Sequence, residues 1–190
     1  TDSMNLILAS ASPRRAELLD QLGVSYRVCP ADIDETPRSG EPPGRYVARM
    51  AREKAAASTI SDGAIVLAAD TAIALDGDIL GKPEDRDDAR AMLWRLSGRR
   101  HEVITSVALR GAGQLLAEQV VTAVWFGELS ERRISAYLDT GEADDKAGSY
   151  GIQGRGAQFV ARIDGSYSGV VGLPLYETAG LLRTLGMMVE

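Results

Sequence analysis

The period of apolar and polar positions changes repeatedly along the chain, and each change marks an element. Residues 4–8, MNLIL, form an apolar run of strand length, and AELLDQLG after them has helical spacing and ends at Gly23. Ser12 fits the N-cap of that helix and Pro13 its first position. SYRVC, 25–29, reads as a short second strand, and PADIDETPRSGEPPG, 30–44, as a loop. RYVARMAREKAAAST, 45–59, has a helical pattern. AIVLAADTAIAL, 64–75, is the strongest strand in the chain and too apolar for an edge. Asp76-Gly77 predicts a hairpin turn into DILGKP.

The second half continues the alternation. EDRDDARAMLWRLSG, 84–98, is a predicted helix with acids in its first turn and Gly98 past its end. HEVITSVALRG and QLLAEQVVTAVWFGEL predict long antiparallel strands joined through Gly111 to Gly113. SERRISAYLDTGE is a helix with Ser130 as its cap, and GSYGIQGRG, 148–156, a glycine-rich loop. AQFVARIDGSYSGVVGLP, 157–174, reads as another strand pair and LYETAGLLRTLG as the closing helix. Trp94 and Trp125 are expected in the core. Strands and helices in mixed order imply an α/β fold with a mixed sheet.

Bulk properties narrow the function. The 190 residues suit one domain, and 45% hydrophobic with 25% charged residues is the balance of a soluble globular protein. A net charge of −6 argues against a broad nucleic-acid surface but leaves room for a local cation cluster around a small phosphorylated ligand. The lone cysteine, Cys29, excludes an intrachain disulfide and a cysteine zinc cage. No signal-peptide pattern and no apolar stretch of membrane-span length occurs, so a cytoplasmic location is expected. Thr1 to Ser3, ahead of Met4, read as an appended leader.

Five places put charge or glycine where a structural role is awkward. Arg14 and Arg15 lie in the first turn of a helix, where a positive charge is disfavoured by roughly 0.3–1 kcal/mol. Taken alone, two adjacent arginines are a solvated helix start. With Ser10, Ser12 and the helix N–H groups beside them they make an anion site. Asp70 interrupts a strand of Val, Leu and Ala and is costly there unless paired or bound to metal. Asp32, Asp34 and Glu35 form an acidic loop, commonly just solvated, that with Asp70 could offer the oxygen ligands Mg²⁺ prefers. Lys82 stands between Gly81 and Pro83 in a tight turn, a common place for surface decoration. The glycines of YGIQGRG allow close backbone approach without a Walker lysine. His101, the sole histidine, reads as structural.

In order along the chain, LASASPRRAELL, IDE, AREKA, AADT, GKP, AGSYGIQG and VVGLPLYET resemble the Maf family of nucleoside triphosphate pyrophosphatases. The resemblance implies a single Maf-like domain over 1–190: an elongated mixed β-sheet with flanking helices and two lobes around a central cleft, similar to the inosine triphosphate pyrophosphatases. It implies hydrolysis of a nucleoside triphosphate to the monophosphate and pyrophosphate with a divalent cation, Mg²⁺, Mn²⁺ or Co²⁺. It implies a cytoplasmic homodimer with a small-molecule substrate, and neither a nucleic-acid polymer nor a membrane as partner. Carried over by residue, Asp70 would be the catalytic proton acceptor. Ser10, Arg14, Arg15, Lys54 and Lys82 would line the triphosphate, and Glu35 would join Asp70 near the metal.

Within that family, Arg14, Thr71 and Gln153 resemble the branch acting on dTTP and UTP, and a modified pyrimidine nucleotide would suit the same site. The 7-methyl-GTP branch shows an aromatic residue before its arginines, glutamine after the aspartate and glutamate in the loop. A cationic base suits an aromatic stack and a carboxylate, whereas a pyrimidine N–H beside a carbonyl suits an amide. Two other readings stay open: a 7-methyl-GTP pyrophosphatase, and a nucleotide-binding regulator of septum formation. The second would have little use for Asp70.

Overall fold

The computed structural model describes residues 5–59 and 63–190; Met4 and the leader reading of Thr1 to Ser3 fall outside the described residues. The strands are β1 Leu6–Leu8, β2 Tyr26–Val28, β3 Ile65–Leu75, β4 Asp78–Leu80, β5 Arg100–Gly111, β6 Gln114–Phe126 and β7 Val160–Asp164. The helices are α1 Pro13–Asp20, α2 Pro43–Ala57, α3 Arg86–Leu96, α4 Glu131–Leu138, α5 Tyr167–Val171 and α6 Leu175–Thr184. The strands make one mixed sheet, ordered β2-β1-β3-β5-β6-β7, with β4 also on β3. β1 is parallel to β2 and β3, and the other pairings are antiparallel.

The placement of β1 and β4 creates the cleft. Both pair with the same edge of β3, β1 at Ile65 to Leu67 and β4 at Ile73 to Leu75. Between them that edge carries no strand, while the opposite edge pairs with β5 from Val66 to Ala74. Asp70 and Thr71 lie in this gap. The hairpin that brings β4 back turns on Asp76 and Gly77, at φ 54° and 83°, as the Asp-Gly pair predicts.

Side chains alternate across β3, so each face has its own core. On one face Ile65, Leu67 and Ala69 pack with Leu6, Leu8, Leu18, Leu19 and α6, while Ile73 and Leu75 pack with α3 and α4. Thr71 falls between these two cores. On the other face, Val66 and Ala68 meet Ala51 and Ala55 of α2, and Ala72 and Ala74 meet Val47. Asp70 falls between those, under Lys54. Small alanines along β3 let α2 lie close above it.

Two expectations are corrected. Within 157–174 only β7 is a strand, and the apolar Val170-Val171 pair lies in α5. Ser166 starts that helix by accepting the Gly169 N–H at 2.9 Å, a cap that outweighs the β-branched pattern. Neither tryptophan is a core residue. Trp94 is 44% exposed because the α3 register turns Ala89, Leu93 and Leu96 inward instead. Trp125 alternates with the buried Val124 and Phe126 and stacks with the Arg100 and Arg162 guanidiniums, 5.7 and 4.8 Å from its ring.

Candidate active site

A cleft of about 790 Å³ opens at the gap in the β3 edge. Its lining brings together Ser10, Arg14, Arg15, Glu35, Lys54, Asp70, Thr71, Lys82 and Gln153, from elements far apart in sequence. Asp32 lines it as well. Asp34 does not: its Oδ1 accepts the Thr36 N–H at 2.9 Å and stabilises the loop.

β1 delivers the chain to the start of α1, where Ser12 caps the helix by accepting the Arg15 N–H at 3.4 Å. The two arginines then divide. The Arg15 guanidinium is held by the protein: Nε donates to Gly172 O at 2.7 Å, Nη1 to Ser10 Oγ at 3.4 Å and Nη2 to Thr71 Oγ1 at 3.1 Å. Thr71 Oγ1 is 2.9 Å from Thr105 Oγ1, and Thr105 donates to Gly169 O at 2.7 Å. Thr105 has one hydroxyl proton and spends it on that carbonyl, so Thr71 is the donor between the two threonines. Burial pushes the Arg15 pKa down, and Asp70 opposes it. Arg14 and Lys82 have no hydrogen-bond or ion-pair partner among the described residues, so their cations face the cleft uncommitted.

Asp70 is buried and pairs with Lys54, whose Nζ donates to Oδ1 at 2.7 Å. The same ammonium touches the Glu35 carboxylate. Burial raises the Asp70 pKa, and the Lys54 charge and hydrogen bond pull against it. A carboxylate with its pKa raised by burial and its charge held by Lys54 has the character of a proton acceptor. Among the described residues no group of three His, Cys, Asp or Glu side chains could hold a metal ion. Asp70 and Glu35 supply two carboxylates on one wall, the number Mg²⁺ takes when substrate phosphates and water complete its shell. The donor set therefore fits such an ion.

His101 is buried, with Nε2 2.6 Å from the Tyr150 hydroxyl and its ring edge-on to Phe126. Burial pushes its pKa down to about 4, which keeps it neutral and structural.

The sequence reading missed Thr105 and Glu142. Thr105 hides in a strand of suitable β-formers, and Glu142 in a polar stretch after α4. The only trace of Glu142 is indirect: the glycines of the loop are packed against it. A Cβ on Gly154 would come within 2.4 Å of the Glu142 carboxylate, and one on Gly156 within 2.6 Å of Gly151 O. The close backbone approach allowed by this loop is thus within the protein.

Known proteins resemble the chain over nearly its whole length. The dTTP/UTP pyrophosphatase of Chromobacterium violaceum is 50% identical over 192 residues, covering 98% of this chain and 97% of its own. That of Anaeromyxobacter dehalogenans strain 2CP-1 is 55% identical over 185 residues, covering 95% and 94%. A HAM1 protein from Coxiella burnetii shares the fold at 17% identity and a TM-score of 0.51, over 95% of this chain and 99% of that one. The family model described as Maf-like protein matches residues 5–185, and with that span the chain belongs to the Maf-like protein family.

Proposed function

We propose that this chain hydrolyses nucleoside triphosphates, dTTP and UTP in preference, to the monophosphate and pyrophosphate. One observation carries the reading: a buried carboxylate of raised pKa, Asp70, shares a cleft with two uncommitted cations, Arg14 and Lys82. Relatives about 50% identical over nearly the whole chain are dTTP/UTP pyrophosphatases, which supports the same substrates here.

Each residue has work in that reaction. Arg14 and Lys82 take phosphate oxygens, and Arg15, fixed by Gly172 and Thr71, holds the start of α1 against them. Asp70 receives the proton of the attacking water, and Lys54 keeps its carboxylate oriented and able to ionise. Ser10 helps to place Arg15. A divalent cation, Mg²⁺, Mn²⁺ or Co²⁺, would be held by Asp70 and Glu35 and would neutralise phosphate charge. Gln153 reads the base with its amide. The cleft lining holds one aromatic side chain among the described residues, Tyr150, and it is buried against His101 and Phe126. A cationic purine would find no free aromatic face for stacking, which favours a pyrimidine. A cytoplasmic homodimer belongs to the same proposal and rests on the family resemblance.

The test is pyrophosphate release from a nucleotide panel with and without each metal. Release from dTTP and UTP well above the other nucleotides is expected. Equal rates across the panel, or none with any metal, would overturn the reading.

A further inference from the structure

We propose that Glu142 is a positioning residue for base recognition, its carboxylate serving as the internal anchor on which the loop carrying Gln153 is folded. This rests on the reading of Gln153 as the residue that meets the base.

The geometry is specific. Glu142 Oε2 accepts the Arg155 N–H at 2.9 Å, and Oε1 accepts the Gly156 N–H at 3.1 Å and the Tyr137 hydroxyl at 3.1 Å. The Tyr137 oxygen in turn accepts the Gly151 N–H at 3.4 Å. Both ends of the segment 151–156 are therefore tied to one carboxylate, one end directly and the other through Tyr137. Gln153 sits at the middle of that segment, exposed to the cleft.

The glycines leave the anchor its place where it is closest. At Gly154 any side chain would run into the Glu142 carboxylate, and at Gly156 into the Gly151 carbonyl. Successive backbone N–H groups converging on an oxyanion are the usual cradle for a phosphate. Here the oxyanion belongs to the protein. The N–H groups of Arg155 and Gly156 are spent on Glu142 and leave the triphosphate to Arg14 and Lys82. Burial would raise the Glu142 pKa, but the N–H groups of Arg155 and Gly156 and the Tyr137 hydroxyl outweigh it and hold the carboxyl lowered. The anchor is thus ionised at neutral pH. Lys146 adds a bond from Nζ to Glu142 O at 2.8 Å, which fixes the backbone beneath the carboxylate.

Two variants grade the anchor. Glu142→Gln keeps one acceptor oxygen, and Glu142→Ala removes both. The measurements are the UTP-to-CTP ratio of kcat/KM and the hydrogen exchange of the Arg155 and Gly156 amides. We expect Glu142→Ala to lower the ratio at least threefold and to speed the two amides at least tenfold, with Glu142→Gln intermediate in both. Adding Gln153→Ala to Glu142→Ala should lower the ratio no further, because the two residues act as one unit. A ratio unchanged in both Glu142 variants, while Gln153→Ala lowers it, overturns the proposal. Where Gln153→Ala itself leaves the ratio unchanged, or no nucleotide is cleaved, the reading of Gln153 or of the reaction has failed. Amide exchange then decides: faster exchange in Glu142→Ala keeps the anchor, and parental exchange removes it. Should Glu142→Ala fail to fold, Glu142→Gln alone decides on the same two measurements.

Discussion

Lys54 Nζ donates to Asp70 Oδ1 at 2.7 Å and holds a carboxylate that burial alone would drive toward its neutral form. The pair sets the pH at which the proposed base is ready. Hydrolysis needs the ionised carboxylate, so the rate falls as pH drops through the Asp70 pKa. Replacing Lys54 removes the two largest influences that lower that pKa and leaves burial opposed only by Arg15. In Lys54→Met the acid limb of the kcat/KM profile is expected to move to higher pH. A profile whose acid limb stays where it lies in the parent would separate Lys54 from the base.

Asp70→Asn keeps the shape of the side chain and removes its basicity. A loss of roughly 10²- to 10⁴-fold in turnover is expected, the usual size of a general-base contribution. Stability should move the other way. A carboxyl whose folded pKa is raised contributes stability below its unfolded pKa, near 3.8, and loses it as pH rises through the folded value. Ionised Asp70 therefore weighs on the native state at neutral pH, and the asparagine does not. Thermal melts of the two proteins from pH 4 to 7.5 should show the variant gaining on the parent as pH rises. A variant that cleaves dTTP at the parental rate would show that Asp70 is not the base.

The strands and helices were legible in the sequence wherever period, cap and turn agreed, as at Ser12-Pro13, Asp76-Gly77 and Ser130. The site residues were legible because Asp70 in an apolar strand and two arginines at a helix start each break a local rule, and broken rules gather where chemistry is done. What the arginines do individually was not. Arg15 is held by Gly172, which lies 157 residues away in sequence, and no local pattern encodes that bond. Val170-Val171 misled because β-branched residues resemble a strand until the Ser166 cap is seen. Trp94 misled because bulk alone does not reveal which side of α3 faces the core.

Arg14 and Arg15 should separate on replacement. Arg15→Ala cuts three hydrogen bonds and strands the Gly172 carbonyl, so a loss of about 1–3 kcal/mol in unfolding free energy is expected. That outweighs the relief of one positive charge at the start of α1. Arg14 has no such partners, and Arg14→Ala should stay within about 0.5 kcal/mol of the parent. Its loss should appear instead as a smaller nucleotide-induced gain in unfolding free energy. Urea titrations with and without nucleotide make both comparisons, and equal destabilisation by the two variants would contradict the division of roles.

His101 should govern part of the acid sensitivity. Its folded pKa is pushed down to about 4, against an ordinary value of 6.5. Between those values the unfolded chain binds a proton that the folded chain refuses, so stability falls as pH drops from 6.5 toward 4. The full effect is about 3 kcal/mol. His101→Gln keeps a hydrogen-bond partner for Tyr150 and has no proton to gain. Its urea stability should fall less over that interval, and a slope equal to the parent's would mean that other groups carry it.

Base choice is the sharpest test of the cleft. Gln153 is exposed, lines the cleft and has no hydrogen-bond partner among the described residues, so its amide oxygen and nitrogen are both available. Uracil and thymine present an N3–H beside a carbonyl, which the amide meets with its acceptor and its donor. Cytosine has no N3–H and carries an amino group in place of the 4-carbonyl, so in the amide orientation that suits uracil both bonds are lost. Two neutral hydrogen bonds at about 0.5–1.5 kcal/mol each set the preference at roughly 5- to 150-fold. The solvent-facing position keeps it below what a fully buried reader reaches, where unpaired groups are penalised more heavily. UTP and dTTP are expected to exceed CTP by that factor in kcat/KM. Gln153→Glu replaces the donor with a second acceptor and adds a negative charge near the triphosphate, so activity on both preferred substrates should fall. Activity on 7-methyl-GTP should stay weak, because a carboxylate without a free aromatic face offers charge but no stack. The measurement is the set of kcat/KM values for UTP, dTTP, CTP and 7-methyl-GTP in the parent and in Gln153→Glu. Equal ratios in the two proteins would assign the reading of the base to another residue of the cleft.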